Sequence, residues 1–68
     1  MSAWLQQAKA MDDYARTAQR LSAEYAAEGD PVRAARYADD ALWYGERAAQ
    51  YRDKHVEYQA WQKVLETT

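Results

Sequence analysis

The sequence predicts an all-α fold in which two long antiparallel helices are joined by one tight turn. A single strong break, Gly29-Asp30-Pro31, divides the chain of 68 residues. On both sides of this break, apolar residues recur at spacings of three and four, which is typical of helices that bury one face. We therefore expect one domain, residues 1–68, with helices at about residues 3–28 and 31–66 and the turn at 29–31.

The turn residues have the conformational preferences that a helix end and a helix start require. Gly29 suits the left-handed residue after a helix, and Asp30 is a good N-cap for the next one. Pro31 fits the first helical position, where its missing N–H has no intrahelical acceptor. Ser2 is the candidate cap for the first helix. Because one helix ends and the next begins within a few residues, we expect a tight αα-hairpin.

The first helix carries a narrow apolar seam, with charged residues mostly on its opposite side. The charges include two pairs at i,i+4 spacing, Asp12–Arg16 and Arg20–Glu24, each expected to contribute about 0.2–0.5 kcal/mol. We interpret this side as solvated, and a contact surface for a polar partner is the alternative. The seam residues are Trp4, Ala8, Met11, Ala15, Ala18, Ser22 and Tyr25.

The second helix has small residues along the centre of its predicted packing seam. A thin seam allows another helix backbone to approach closely, and a packing reason is expected for Gly45 because mid-helix glycine costs about 1 kcal/mol. A mild kink is the alternative. Tyrosines recur every seven residues beside the seam, at positions 37, 44, 51 and 58. The seam itself consists of Ala34, Ala38, Ala41, Gly45 and Ala48.

Length and composition predict that the hairpin does not fold alone. The chain has no cysteine, and its alanines bury little surface, which leaves oligomerisation as the means of stabilisation. The second helix is also longer, so its end projects beyond the first helix and exposes apolar residues. We expect a homodimer, a four-helix bundle, as the cover for this end. The predicted oligomer interface is Tyr51, His55, Tyr58, Trp61, Val64 and Leu65.

Composition argues against catalysis, cofactors and membranes. No cysteine is present and His55 is the only histidine, so a Cys/His zinc site is excluded and a packed core or interface histidine is expected. Asp39 and Asp40 follow Arg33 and Arg36 within two helical turns, which predicts paired surface charge rather than a metal site. No apolar run approaches the roughly 20 residues of a membrane span. We expect a cytoplasmic, non-enzymatic protein without cofactor or metal.

Two tryptophans indicate a protein partner. Trp43 and Trp61 are five helical turns apart and share the polar back of the second helix, a setting typical of interface hot spots. A cation–π pair with Arg47 is the alternative for Trp43. The function expected is a small interaction or regulatory module, consistent with a bacterial or phage accessory protein. The alternative is a helical bundle that binds RNA or DNA through Arg16, Arg20, Arg33 and Arg36.

Around the turn, the first helix has Leu21, Ser22 and Tyr25, the turn has Gly29 and Asp30, and the second helix has Ala34, Ala41 and Leu42. This pattern resembles one tetratricopeptide-type helix–turn–helix unit. The resemblance covers about half of the chain, but the family's tryptophan, second aromatic and closing proline positions hold Ala18, Ala38 and Glu46. It implies close packing of two helices rather than a peptide-binding groove. In outline the chain is also similar to the small plasmid RNA-binding hairpin that dimerises into a four-helix bundle.

Overall fold

Two helices of unequal length make up the hairpin. A computed structural model describes residues 3–67 and contains α1 (Ala3–Ala27) and α2 (Pro31–Thr67). The predicted all-α hairpin is confirmed, with helix ends within one residue of the expected ones. At about 1.5 Å per residue the helices are roughly 38 and 56 Å long, and the molecule measures 61 × 16 × 10 Å. The candidate cap Ser2 lies outside the described residues.

The turn ends α1 and starts α2 through backbone hydrogen bonds. Gly29 has a φ of 80°, the left-handed value that favours glycine. The Asp30 N–H donates to the Tyr25 carbonyl at 2.9 Å and the Gly29 N–H to the Ala26 carbonyl at 3.1 Å, the pattern of a Schellman motif. The Asp30 carboxylate then accepts the N–H of Arg33 at 3.1 Å, which caps α2 as predicted.

Alanines alone form the buried core of the described residues. Because their side chains are short, the two helices pack closely but exclude little apolar surface from water. One polar contact also joins the helices in this region: the Ser22 hydroxyl, part-buried, donates to the Ala34 carbonyl at 2.7 Å. The buried residues are Ala8, Ala15 and Ala18 of α1 and Ala41 and Ala48 of α2.

Aromatic rings pair across one side of the hairpin, which we call the aromatic face. Three pairs link α1 to α2 at ring-centroid distances of 5.4 to 5.9 Å, and the Tyr25 and Tyr37 rings are nearly parallel, at 2°. Such pairs add about 0.5–1.5 kcal/mol each beyond the area they bury. They fix the register of the two helices. The pairs are Trp4–Tyr51, Tyr14–Tyr44 and Tyr25–Tyr37.

The ion pairs differ from those predicted by helical spacing. Asp12 does not pair with Arg16, because its carboxylate contacts the guanidinium of Arg52 on the other helix, and Arg16 instead pairs with Asp13. The expected pairs of Asp39 and Asp40 with nearby arginines are also absent from residues 3–67, where Arg33 pairs with Asp30 at 3.6 Å. All these groups are exposed enough for several partners to have similar energies, so spacing alone does not select one.

Candidate functional site

The end of α2 extends past α1 and leaves large apolar side chains in contact with solvent. Trp4, near the start of α1, stacks on Tyr51, about one turn before the position expected from folding back at Gly29. From residue 56 to residue 67 every side chain of α2 is exposed. We call this segment, residues 56–67, the overhang. Its large apolar residues and their exposed fractions are Val56 62%, Tyr58 51%, Trp61 66%, Val64 52% and Leu65 68%.

The apolar side of the overhang does not continue the side of α2 that packs on α1. Ala41 and Ala48 mark the packed side, and helical spacing continues it through Gln59, Gln62 and Glu66. The tyrosine column rotates away from this side, because seven residues fall about 20° short of two full turns. We call Tyr58, Trp61, Val64 and Leu65 the overhang face. The overhang face points away from the side of α2 that packs on α1. The heptad spacing alone did not predict this direction.

The two tryptophans of α2 have different surroundings. The Trp43 ring lies edge-on to Tyr44 with centroids 5.2 Å apart, and the guanidinium of Arg47 lies 5.0 Å from the Trp43 centroid. Cation–π and aromatic contacts within the chain therefore hold Trp43, although its exposed fraction is 52%. Trp61 instead borders a shallow apolar depression with Ala60 and Val64 in the overhang. Trp61 belongs to the larger apolar surface.

The small-residue seam is only partly covered by α1. Ala41 and Ala48 are buried, Ala34 and Gly45 are half-buried, and Ala38 is exposed. A Cβ built on Gly45 would meet no atom within 4 Å. The packing reason expected for this glycine is therefore not a close approach of α1. On this side of the hairpin, opposite the aromatic face, Leu42, Gly45 and Ala49 line a shallow groove with α1 residues around Ala15.

His55 and the candidate arginines do not form a compact site. His55 is half-buried at the level where α1 begins. Arg16 lines the groove beside Gly45, whereas Arg33 lies 5.5 Å from the ring centroid of Tyr25, on the aromatic face. Arg20 and Arg36 are both exposed. The four arginines thus spread over opposite sides of the hairpin rather than along one stripe.

Residues 3–67 also contain no group of three or more histidine or acidic side chains positioned to hold a metal ion. Within the same residues, neither helix combines the length and the apolarity that crossing a membrane requires. Comparison with protein-family models, curated proteins and solved structures gave no match. The resemblance to a tetratricopeptide unit therefore stays a prediction.

Proposed function

We propose that the protein is a small non-enzymatic interaction module that associates with a second copy of itself through the overhang face. The observation that carries this proposal is the contrast between the buried and the exposed side chains. Alanines form the whole buried core of the described residues, while Trp61 and Leu65 are 66% and 68% exposed. Exposed apolar side chains grouped on one helix face are typical of protein interaction sites.

The surface area of the hairpin supports a second chain as the cover. A compact folded chain of 7.9 kDa is expected to expose about 4,400 Å², but the hairpin exposes 5487 Å². The excess of about 1,100 Å² is comparable to the roughly 800 Å² that each partner buries in a standard interface. The radius of gyration, 16.7 Å, also exceeds the about 11 Å of a compact domain of this length. A standard interface with one additional copy buries most of this excess.

The expected assembly is a homodimer of four helices. A two-fold axis brings the same face of each chain together, so the overhang face of one copy covers that of the other. Tyr51 then lies at the edge of the contact, next to the start of α1, whereas His55 lies on the packed side of α2, in line with Ala48. Burial of the overhang is expected to make folding and association a single transition, because the hairpin has little core of its own.

Matched variants test whether the overhang face makes the dimer. Trp61→Gln combined with Leu65→Gln removes apolar area from the overhang while keeping good helix formers. Val32→Gln is the control, because Val32 is 78% exposed near the turn, far from the overhang. Sedimentation equilibrium is expected to give a monomer mass for the double variant and a dimer mass for the control. A dimer mass for both variants would place the interface elsewhere.

The proposal also includes a protein partner that takes the place of the second copy on the overhang face. Trp61 is the better anchor, because the contacts with Tyr44 and Arg47 already use the ring of Trp43. Affinity capture from the native host compares the wild type with Trp43→Ala and Trp61→Ala. We expect Trp61→Ala to lose a captured protein that Trp43→Ala retains. Equal recovery by all three proteins would contradict a tryptophan-anchored partner.

A further inference from the structure

A small cleft on the aromatic face has the chemical character of a site for an organic cation. The cleft has a volume of about 180 Å³ and is lined by three tyrosines, the carboxylate-bearing Asp40 and the apolar Leu21. It lies between the helices, about midway along α1 and far from the overhang. The tyrosines are Tyr14 and Tyr44, whose ring centroids are 5.4 Å apart, and Tyr37.

Ring geometry leaves aromatic surface available to the cleft. Tyr14 and Tyr44 meet at 46°, so their rings form an angled wall rather than a closed stack. Tyr37 is stacked on Tyr25 at 5.5 Å and also borders the cleft. The exposed fraction of Tyr14 is 54%, which places much of this wall in contact with solvent. The faces of aromatic rings carry negative electrostatic potential and attract cations.

The charges around the cleft also favour a cation. Asp40 makes no ion pair within residues 3–67, although Arg36 lies one helical turn before it. Within the described residues, no cationic side chain therefore neutralises Asp40 beside the tyrosine rings of the cleft. Elsewhere on this hairpin, guanidinium groups already lie over aromatic rings, Arg33 over Tyr25 and Arg47 over Trp43.

We propose that the cleft formed by Tyr14, Tyr37, Tyr44 and Asp40 binds an organic cation, either an alkylated ammonium or the charged end of a basic side chain. The ring faces contact the alkyl or planar surface of the cation, and Asp40 provides the counter-charge. A metal ion fits poorly, because one carboxylate is a small part of the oxygen shell that hard cations require. The cleft lies outside the overhang face, so a second copy that covers the overhang does not fill it.

Nuclear magnetic resonance titration of the full chain tests the proposal. Tetramethylammonium chloride is the cationic probe, and tert-butanol is a neutral probe of similar shape, both at constant ionic strength. We expect tetramethylammonium to shift the ring signals of Tyr14, Tyr37 and Tyr44, with a dissociation constant on the order of 10 mM because exposed cation–π contacts are weak. Equal shifts with tert-butanol, or no shifts at the three rings, would overturn the proposal.

Two adjacent carboxylates supply the matched variants. Asp40→Asn keeps the shape of the cleft and removes its charge, and affinity is expected to fall about threefold. Asp39→Asn removes the same charge from a side chain outside the cleft and is expected to leave affinity unchanged. Both residues are exposed, so both variants are expected to fold. Equal affinity losses in the two variants would show attraction by net charge rather than binding in the cleft.

Further probes in the same assay distinguish a basic side chain of a protein from a free alkylated amine as the source of the cation. Nα-acetyl-lysine amide and Nα-acetyl-arginine amide represent basic side chains of a protein. Stronger binding of either amide than of tetramethylammonium would support a basic side chain as the occupant. Stronger binding of tetramethylammonium would support a free alkylated amine.

Discussion

Adding one methyl group at Gly45 tests whether this surface of the hairpin is open or covered by another chain. Glycine in a helix interior costs about 0.8–1.0 kcal/mol relative to alanine. The Cβ of an alanine at position 45 would meet no atom within 4 Å. Gly45→Ala is therefore expected to raise the free energy of unfolding by about 0.8–1.0 kcal/mol, since helix propensity improves without a clash.

Thermal and urea unfolding, followed by circular dichroism, measure this change. For a domain of this size, 1 kcal/mol corresponds to a rise in Tm of about 4–8 °C. Ala35→Gly is the reverse control, because Ala35 is an exposed alanine of α2. It is expected to lower the stability by a similar amount. Protein concentration is held equal throughout, because the stability of an associating protein depends on it.

A loss of stability in the Gly45→Ala variant would contradict an open surface at position 45. It would mean that a backbone lies against Gly45, and the single hairpin offers none on that side. The groove lined by Leu42, Gly45 and Ala49 would then be the place where the second chain docks. Gly45→Leu would confirm that conclusion if it lowered the mass in solution, because a leucine overfills a closely packed contact but not an open groove.

Three contacts within the hairpin give further predictions. Ser22→Ala removes the hydroxyl that donates to the Ala34 carbonyl, and urea unfolding is expected to show a loss of about 1 kcal/mol; an unchanged stability would contradict that bond. Asp12→Asn with Arg52→Gln, in a double-mutant cycle, should give a coupling energy of about 0.2–1 kcal/mol that falls with added salt; zero coupling at low salt would remove the pair. Asp30→Ala should cost about 1 kcal/mol and lower helicity, as loss of an N-cap does, and a neutral result would contradict the cap.

The turn and the helix bounds were predictable because their causes are local. Gly29, Asp30 and Pro31 each have a conformational preference that acts within a few residues of the chain. The structure shows the same cap and the same left-handed glycine. The projection of α2 beyond α1 was also predictable, since it follows from two helix lengths and the position of the turn.

Contacts between the helices were less predictable, because they depend on register and rotation. The Asp12–Arg52 pair joins residues 40 apart, and helical spacing favoured Arg16 instead. Folding back at Gly29 predicted His55 as the neighbour of Trp4. In the structure Trp4 stacks on Tyr51, one helical turn earlier. The direction of the overhang face depends on the slow rotation of the tyrosine column, which a seven-residue count does not include. The cleft beside Asp40 required both helices in place.

Sedimentation equilibrium of the wild-type chain over a range of concentrations measures whether the hairpin associates with a second copy. Self-association predicts that the mass rises with concentration from 7.9 kDa to twice that value, with thermal stability rising in parallel. A mass of 7.9 kDa throughout, together with cooperative unfolding at micromolar concentration, would show that the hairpin is stable alone and would contradict self-association.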